Sequence, residues 1–174
     1  MNCIDPVTAI ESDKDYDWTI CGNSRVVGCA APSDTAYGEF RVRNDDDEDV
    51  RFATLNGIYQ PHCGFDHVLM TWTGPEYMYH MLKFNGVDIP DEGLHMLRYF
   101  TFYDWHTVNH YSSLANDDDV DMKSFVADFH GVWQNASRGL RETRDMSDAE
   151  CEHLWITHYS HIVQKYDAHR LLKW

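Results

Sequence analysis

The sequence predicts a mostly α-helical protein. Two helix-start signatures, Thr73-Gly74-Pro75-Glu76 and Ser147-Asp148-Ala149-Glu150, and an apolar stripe at helical spacing from Met122 to Trp133 carry that prediction. Strand signals are confined to residues 25–43, where one or two short strands fit. Residues 1–54 read as a loop-rich lead-in with weak periodicity, several Gly and Pro, and the acidic run Asp45-Asp46-Asp47-Glu48-Asp49. Like charges repel and extend a chain, so that run reads as a solvated loop and not as a cation site. Residues 55–174 read as the helical core of a single domain covering 1–174. A chain of this size buries roughly 70% of its unfolded surface.

Phe65, Val68, Leu69 and Trp72 fall at i, i+3, i+4 and i+7, which predicts a helix with that face inward. Thr73 to Glu76 interrupts it and opens another at residue 74 or 75. Thr caps the new helix from outside, Glu at the third position can reach back, and Pro is tolerated in a first turn where its missing N–H is no loss. Tyr77, Met78, Met81 and Leu82 are expected to point inward. Pro90 begins a third helix, with Leu94, Leu97 and Thr101 on a shared face. Asp117 to about Gln134 is the clearest amphipathic segment, its stripe formed by Met122, Phe125, Val126, Phe129, Val132 and Trp133. Ser147 opens a last helix running to roughly Tyr166, with Cys151, Leu154, Trp155, His158 and Ile162 inward.

Composition excludes some partners. Acidic residues number 29 against 14 basic, for a formal net charge of −15. That field repels phosphate backbones, so nucleic acid and anionic membrane are poor partners. Five Cys (Cys3, Cys21, Cys29, Cys63, Cys151) are an odd count without CxxC spacing. The first twenty residues carry acids where a secretory leader has a basic stretch and an apolar run, and no apolar run approaches a membrane span. The expectation is a cytoplasmic protein with reduced thiols.

Eleven His raise the question of a metal or catalytic site. His62 beside Cys63 suggests a nucleophile and its base, but neighbours in a regular element point apart. His62 and His106 are therefore expected to have structural hydrogen-bonding roles. Glu150 and His153 have the Glu-x-x-His spacing of di-iron carboxylate bundles, which also need two further Glu on facing helices, so the pair reads as a solvated first turn. His158 and His161 could share a metal face, yet His158 lies on an apolar stripe, where a satisfied core His is the plainer reading. His130, one turn before Trp133, could reach the same interior as that residue.

The stretch LNGIYQPHCGFDHVLMTWTGPEYMYHMLKFN (Leu55 to Asn85), together with FYDWHT (Phe102 to Thr107), resembles the C-terminal half of the myo-inositol oxygenases. YQPHCG, VLMTW, EYMY and KFN are its anchors within the first segment. DYDWTICGNSRVVGC (Asp15 to Cys29) is similar to the segment after that family's His-Asp metal motif, and the chain ends in Trp174 as members do. The resemblance implies an all-α, HD-domain-like helical bundle, here incomplete and represented by its C-terminal half. It implies a family reaction in which a non-haem di-iron centre oxidises myo-inositol with O2 to D-glucuronate, with two Fe held by four His and two Asp.

Carried over residue by residue, three iron-ligand positions fall on Gly74, Phe100 and Trp133, none of which offers a metal a lone pair. No metal ligand and no catalytic residue is therefore expected from this half. Substrate-binding positions fall on Gly22, Asn23 and Thr101, and a family Lys falls on Ser137 with Arg138 beside it. Two functions follow as expectations. One is an oxygenase acting on myo-inositol whose remaining ligands come from elsewhere. The other is a non-catalytic relative acting as a binding or oligomerisation module, self-associating through the face on which the family's N-terminal helices pack.

Overall fold

The computed structural model describes residues 24–32, 44–143, 146–166 and 171–173. The lead-in is tied to the helical body by a two-residue ladder. Strand β1 (Val26–Val27) runs antiparallel to β2 (Leu69–Met70), with Val26 opposite Met70 and Val27 opposite Leu69. Side chains alternate across such a ladder, so Val26 and Met70 are buried while Val27 and Leu69 face out. The backbone amide of Thr71 extends the pairing by donating to the Arg25 carbonyl at 2.8 Å. The Tyr59 hydroxyl clips the two strands together, donating to the Val27 carbonyl and accepting from the Leu69 amide.

The helix predicted over Phe65 to Trp72 does not form. Phe65–His67 is a single 3₁₀ turn, and the chain then extends into β2. Gly64 enters the turn at φ 86°, and the Asp119 carboxylate accepts the Phe65 amide at 3.0 Å, fixing the turn from a distant element. The i, i+3 pair Phe65 and Val68 is buried, as either helix type would have it, but Leu69 and Trp72 are exposed.

Helix α1 (Gly74–Asn85) starts where the Thr-x-x-Glu signature places it. Thr73 accepts the Glu76 amide through its side chain, Pro75 sits in the first turn, and Gly86 ends the helix at φ 58° with its N–H on the Leu82 and Lys83 carbonyls. Met81 and Leu82 are buried as expected; Tyr77 and Met78 are only half-buried, and Tyr79 takes the inward place instead. Helix α2 (Asp91–Tyr99) follows Pro90 and buries Leu94, with Leu97 half-buried and Thr101 buried just beyond its end. A short α3 (Tyr103–His106) leads to the loop before α4 (Asp117–Thr143). The α4 start is held reciprocally: Asn116 Oδ1 accepts the Asp119 amide at 2.9 Å, and the Asp119 carboxylate accepts the Asn116 amide at 3.0 Å. Three Asp in this first turn suit the positive end of the helix dipole.

α1 packs on α2, and α2 and α3 pack on α4. The main core is aromatic: Phe65, Phe102 and Trp105 are fully buried with Leu114 and Val126, and the Phe65 ring meets Phe102 and Trp105 edge-on at 5.2 and 4.9 Å. Burying each such side chain contributes about 1.5–3 kcal/mol. A second cluster joins Tyr79, Met81, Leu82, Val87 and Leu94 between α1 and α2.

The predicted stripe of α4 is only partly inward. Val126 is buried and Met122, Phe129 and Trp133 are half-buried, but Phe125 and Val132 are exposed. The last helix divides into α5 (Asp148–Leu154), a π turn (Trp155–Tyr159) and α6 (Ser160–Lys165). Its capping box is complete, Ser147 and Glu150 satisfying each other's backbone amides. Its predicted inward set is nevertheless exposed throughout: Cys151, Leu154, Trp155, His158 and Ile162 all face out. An apolar stripe specifies a face that gains from cover, not that the described residues supply it.

Candidate functional site

Three polar side chains that are far apart in sequence meet at the start of α1. Ser24, buried just before β1, places its Oγ 2.6 Å from Thr101 Oγ1 and 3.3 Å from Thr73 Oγ1. Thr73 is itself the cap of α1, so the hydroxyl cluster sits at the positive end of a helix dipole. Of the substrate positions implied by the resemblance, Thr101 lies in this cluster. Gly22 and Asn23 lie outside the described residues, as do the Ser137 and Arg138 side chains. Ser24 is the member that sequence reasoning missed, because its partners are 49 and 77 residues away.

Of the positions that the resemblance pairs with iron ligands, Gly74 and Phe100 are chain neighbours of members of this cluster. Gly74 follows Thr73 directly, and an added Cβ there would meet nothing within 4 Å. Phe100 precedes Thr101, and its ring packs on Trp133 at 5.4 Å and edge-on against Phe129 at 5.5 Å. The structure therefore brings Phe100 and Trp133 into direct contact and connects Gly74 to them through the hydroxyl bridge. At these two positions aromatic rings meet.

Two imidazoles border the aromatic patch. His106 Nε2 donates to the Phe100 carbonyl at 3.0 Å and His130 Nδ1 donates to the same oxygen at 2.8 Å. A carbonyl can only accept, so those two nitrogens carry the protons. The remaining lone pairs are occupied: His106 Nδ1 accepts from the Thr107 hydroxyl and His130 Nε2 accepts from the Gln134 amide. Burial pushes His106 down to about 4 and lowers His130 in the same direction, so both rings stay neutral. Among the described residues, no group of three or more His, Cys, Asp or Glu side chains is placed to hold a metal ion.

Other candidates settle into structural roles. His62 Nδ1 bonds the Ala115 carbonyl at 3.0 Å, while the Cys63 thiol rests on the Gly64 carbonyl at 3.6 Å, with its pKa raised by burial. A thiol held protonated, whose neighbouring imidazole is engaged elsewhere, is not an activated nucleophile. Glu150 Oε2 accepts from the Ser147 amide and hydroxyl, and among the described residues no third metal-ligating group joins Glu150 and His153. The His158 and His161 rings are 6.4 Å apart on the exposed last helix.

One buried charged group escaped the sequence reading altogether. Arg98 is 4% exposed and binds Glu76 with two nitrogens at 2.7 and 2.9 Å, Asp66 at 2.9 Å and the Tyr99 hydroxyl at 2.8 Å. Its guanidinium also lies over the Tyr79 ring at 4.4 Å. Burial works against the Glu76 carboxylate, but the Arg98 hydrogen bonds and charge outweigh it and hold its pKa below the usual range. This network ties α1 to α2 and to the Phe65–His67 turn.

Comparison with known proteins agrees with this arrangement of motifs. The family described as Myo-inositol oxygenase matches residues 8–174. Inositol oxygenase of Mus musculus is 38% identical over 114 residues, covering 65% of this chain and 40% of that protein, and the Homo sapiens protein gives the same figures. Inositol oxygenase 2 of Arabidopsis thaliana is 38% identical over 104 residues, 60% of this chain and 33% of its own length. The chain thus spans about two fifths or less of these curated relatives. With the helical body, the anchoring motifs and a match along almost its whole length, this chain belongs to the myo-inositol oxygenase family.

Proposed function

We propose that this chain is a non-oxidising member of the family, a binding or association module in place of a di-iron oxygenase. The observation that carries this reading is the contact between Phe100 and Trp133, ring to ring at 5.4 Å, where the resemblance puts a His and a carboxylate. Iron of this kind needs imidazole nitrogen and carboxylate oxygen converging on one space. Phe100 and Gly74 have neither, and the indole of Trp133 is only a donor. His106 and His130 do not substitute, since each directs its N–H at the Phe100 carbonyl and its lone pair at Thr107 or Gln134. The described residues do not fit a two-iron centre, and no oxidation step is derived through one.

Retention of Thr101 in a buried hydroxyl cluster with Ser24 and Thr73 supports a remaining affinity for a neutral polyol of the myo-inositol type. The strongly acidic surface does not oppose an uncharged ligand. The exposed apolar residues of α4 and the last helix support self-association. No helix among the described residues is long and apolar enough to cross a membrane.

A second reading is that the chain is part of an oxygenase completed by residues outside it. Its support is the 38% identity to proteins named inositol oxygenase over only 40% of their length. The two readings separate in an oxygen electrode. After anaerobic loading with ferrous iron, the chain is expected to show no myo-inositol-dependent O2 uptake above an iron-only blank. Uptake accompanied by formation of D-glucuronate would overturn the non-oxidising reading.

A further inference from the structure

We propose a second ligand site, independent of the hydroxyl cluster and the Phe100–Trp133 patch, in the cleft between the lead-in and the loop after α3. The cleft has a volume of about 350 Å³, at the lower end of the range for small-molecule sites. One wall is apolar, formed by Ala30, Pro32 and Leu55; the other is the polar turn Asn109 to Ser113. It shares no residue with the Ser24–Thr73–Thr101 cluster or with the Phe100–Trp133 patch.

The turn is held in an uncommon shape. Asn109 and Tyr111 have φ of 70° and 58°, in the left-handed region. Asn tolerates that region; for Tyr it is a departure costing about 1–2 kcal/mol. The surrounding bonds over-determine the conformation. Lys123 Nζ donates to Asn109 Oδ1 at 2.6 Å, Ser112 Oγ to the Asn109 carbonyl at 2.5 Å, and Ser113 Oγ to Asn56 Oδ1 at 2.7 Å. Burial of the Tyr111 ring, 5.4 Å from Phe102, offsets part of its strain. The result is a rigid polar wall facing an apolar one across an open space. Strain sustained beside a cavity is how binding sites are preorganised.

The lining decides the ligand class. Among the described residues lining the cleft there is no carboxylate and no ammonium, and the ionisable side chains are His110 and Tyr111. A charged ligand meets no fixed opposite charge in that lining, and a fully hydroxylated one leaves the Ala30–Pro32–Leu55 wall wet. The fit is an uncharged single- or fused-ring compound with an apolar face and a hydroxyl or amide on one edge.

The test uses the whole chain and two probes, 2-naphthol and myo-inositol, followed by backbone amide shifts at neutral pH. Saturable 2-naphthol shifts at Ala30 and at Asn109–Ser113 are expected, with Phe100 and Trp133 unmoved. Leu55 is exposed, so Leu55→Glu leaves the fold intact and should weaken 2-naphthol binding at least about tenfold, a change of about 1.4 kcal/mol. Ala30→Leu, which fills the cleft, should do the same. Absence of saturable shifts, equal binding by both variants, shifts centred elsewhere, or occupation of this cleft by myo-inositol in preference to 2-naphthol would each overturn the assignment.

Discussion

His106 and His130, on different helices, donate their ring protons to one acceptor, the carbonyl oxygen of Phe100, with ring centroids 5.0 Å apart. Phe100 follows the last turn of α2, and its carbonyl has lone pairs to spare. The two imidazoles complete them and pin that corner to α3 and α4. The same residue turns its ring onto Phe129 and Trp133. One backbone corner thus ties an aromatic patch on one side to a neutral imidazole pair on the other.

This pairing makes stability pH-dependent in a definite direction. Burial is the main reason that His106 is depressed from 6.5 to about 4, with His130 and Lys123 pushing the same way. A group whose folded pKa lies below its unfolded value contributes stability above the unfolded pKa and loses it as pH falls towards the folded one. Stability should therefore hold above about pH 6.5 and fall by about 3 kcal/mol on the way to pH 4, through this group alone. Urea midpoints between pH 7 and pH 4 measure the slope, and His106→Gln should flatten it in that window.

Arg98 is the polar keystone of the α1–α2 contact. Arg98→Met leaves the buried Glu76 carboxylate without its two bonds at 2.7 and 2.9 Å, and should cost about 3–5 kcal/mol in denaturant unfolding. Adding Glu76→Gln removes the uncompensated charge, so the double variant should recover part of that loss. Additive losses in the two single variants would contradict the ion-pair account.

Two glycines should respond oppositely to Ala. Gly57 sits at φ 53°, and a Cβ there would lie 1.8 Å from the Gly28 carbonyl oxygen, a backbone atom that cannot swing aside. Gly57→Ala should cost about 3 kcal/mol or more, as strain plus displacement of the Gly28 segment. Gly74, a position the resemblance pairs with an iron ligand, has open space where its Cβ would be, so Gly74→Ala should change stability by no more than about 0.5 kcal/mol. Thermal unfolding of both variants settles the contrast.

Phe100→Ala should cost about 2 kcal/mol, less than a full core truncation because the ring is half-buried. Trp133 should register the loss as a change in fluorescence, since it packs on that ring at 5.4 Å. An unchanged midpoint would mean that the patch does not hold α2 to α4.

Local signals are legible as local structure. Thr73 and Ser147 marked helix starts because a cap and its partner lie within four residues. The Phe65–Trp72 run misled because i, i+3 spacing also suits a 3₁₀ turn, and what decides the matter is pairing with Val26–Val27 more than forty residues away. The same distance hid Ser24, whose partners Thr73 and Thr101 only the fold brings near. Arg98 was hidden because an Arg at the end of a helix normally reads as surface. The stripe of the last helix is apolar as its periodicity predicts, yet exposed, since periodicity names a face without naming its partner.

Iron counting tests the central claim most directly. The chain would be loaded anaerobically with ferrous iron, desalted, and assayed for metal per polypeptide. With carbon at Phe100 and Gly74 and an N–H donor at Trp133, retention should be well below one iron per chain. Two tightly held irons per chain would mean that donors converge where the structure places aromatic rings, and would contradict the account.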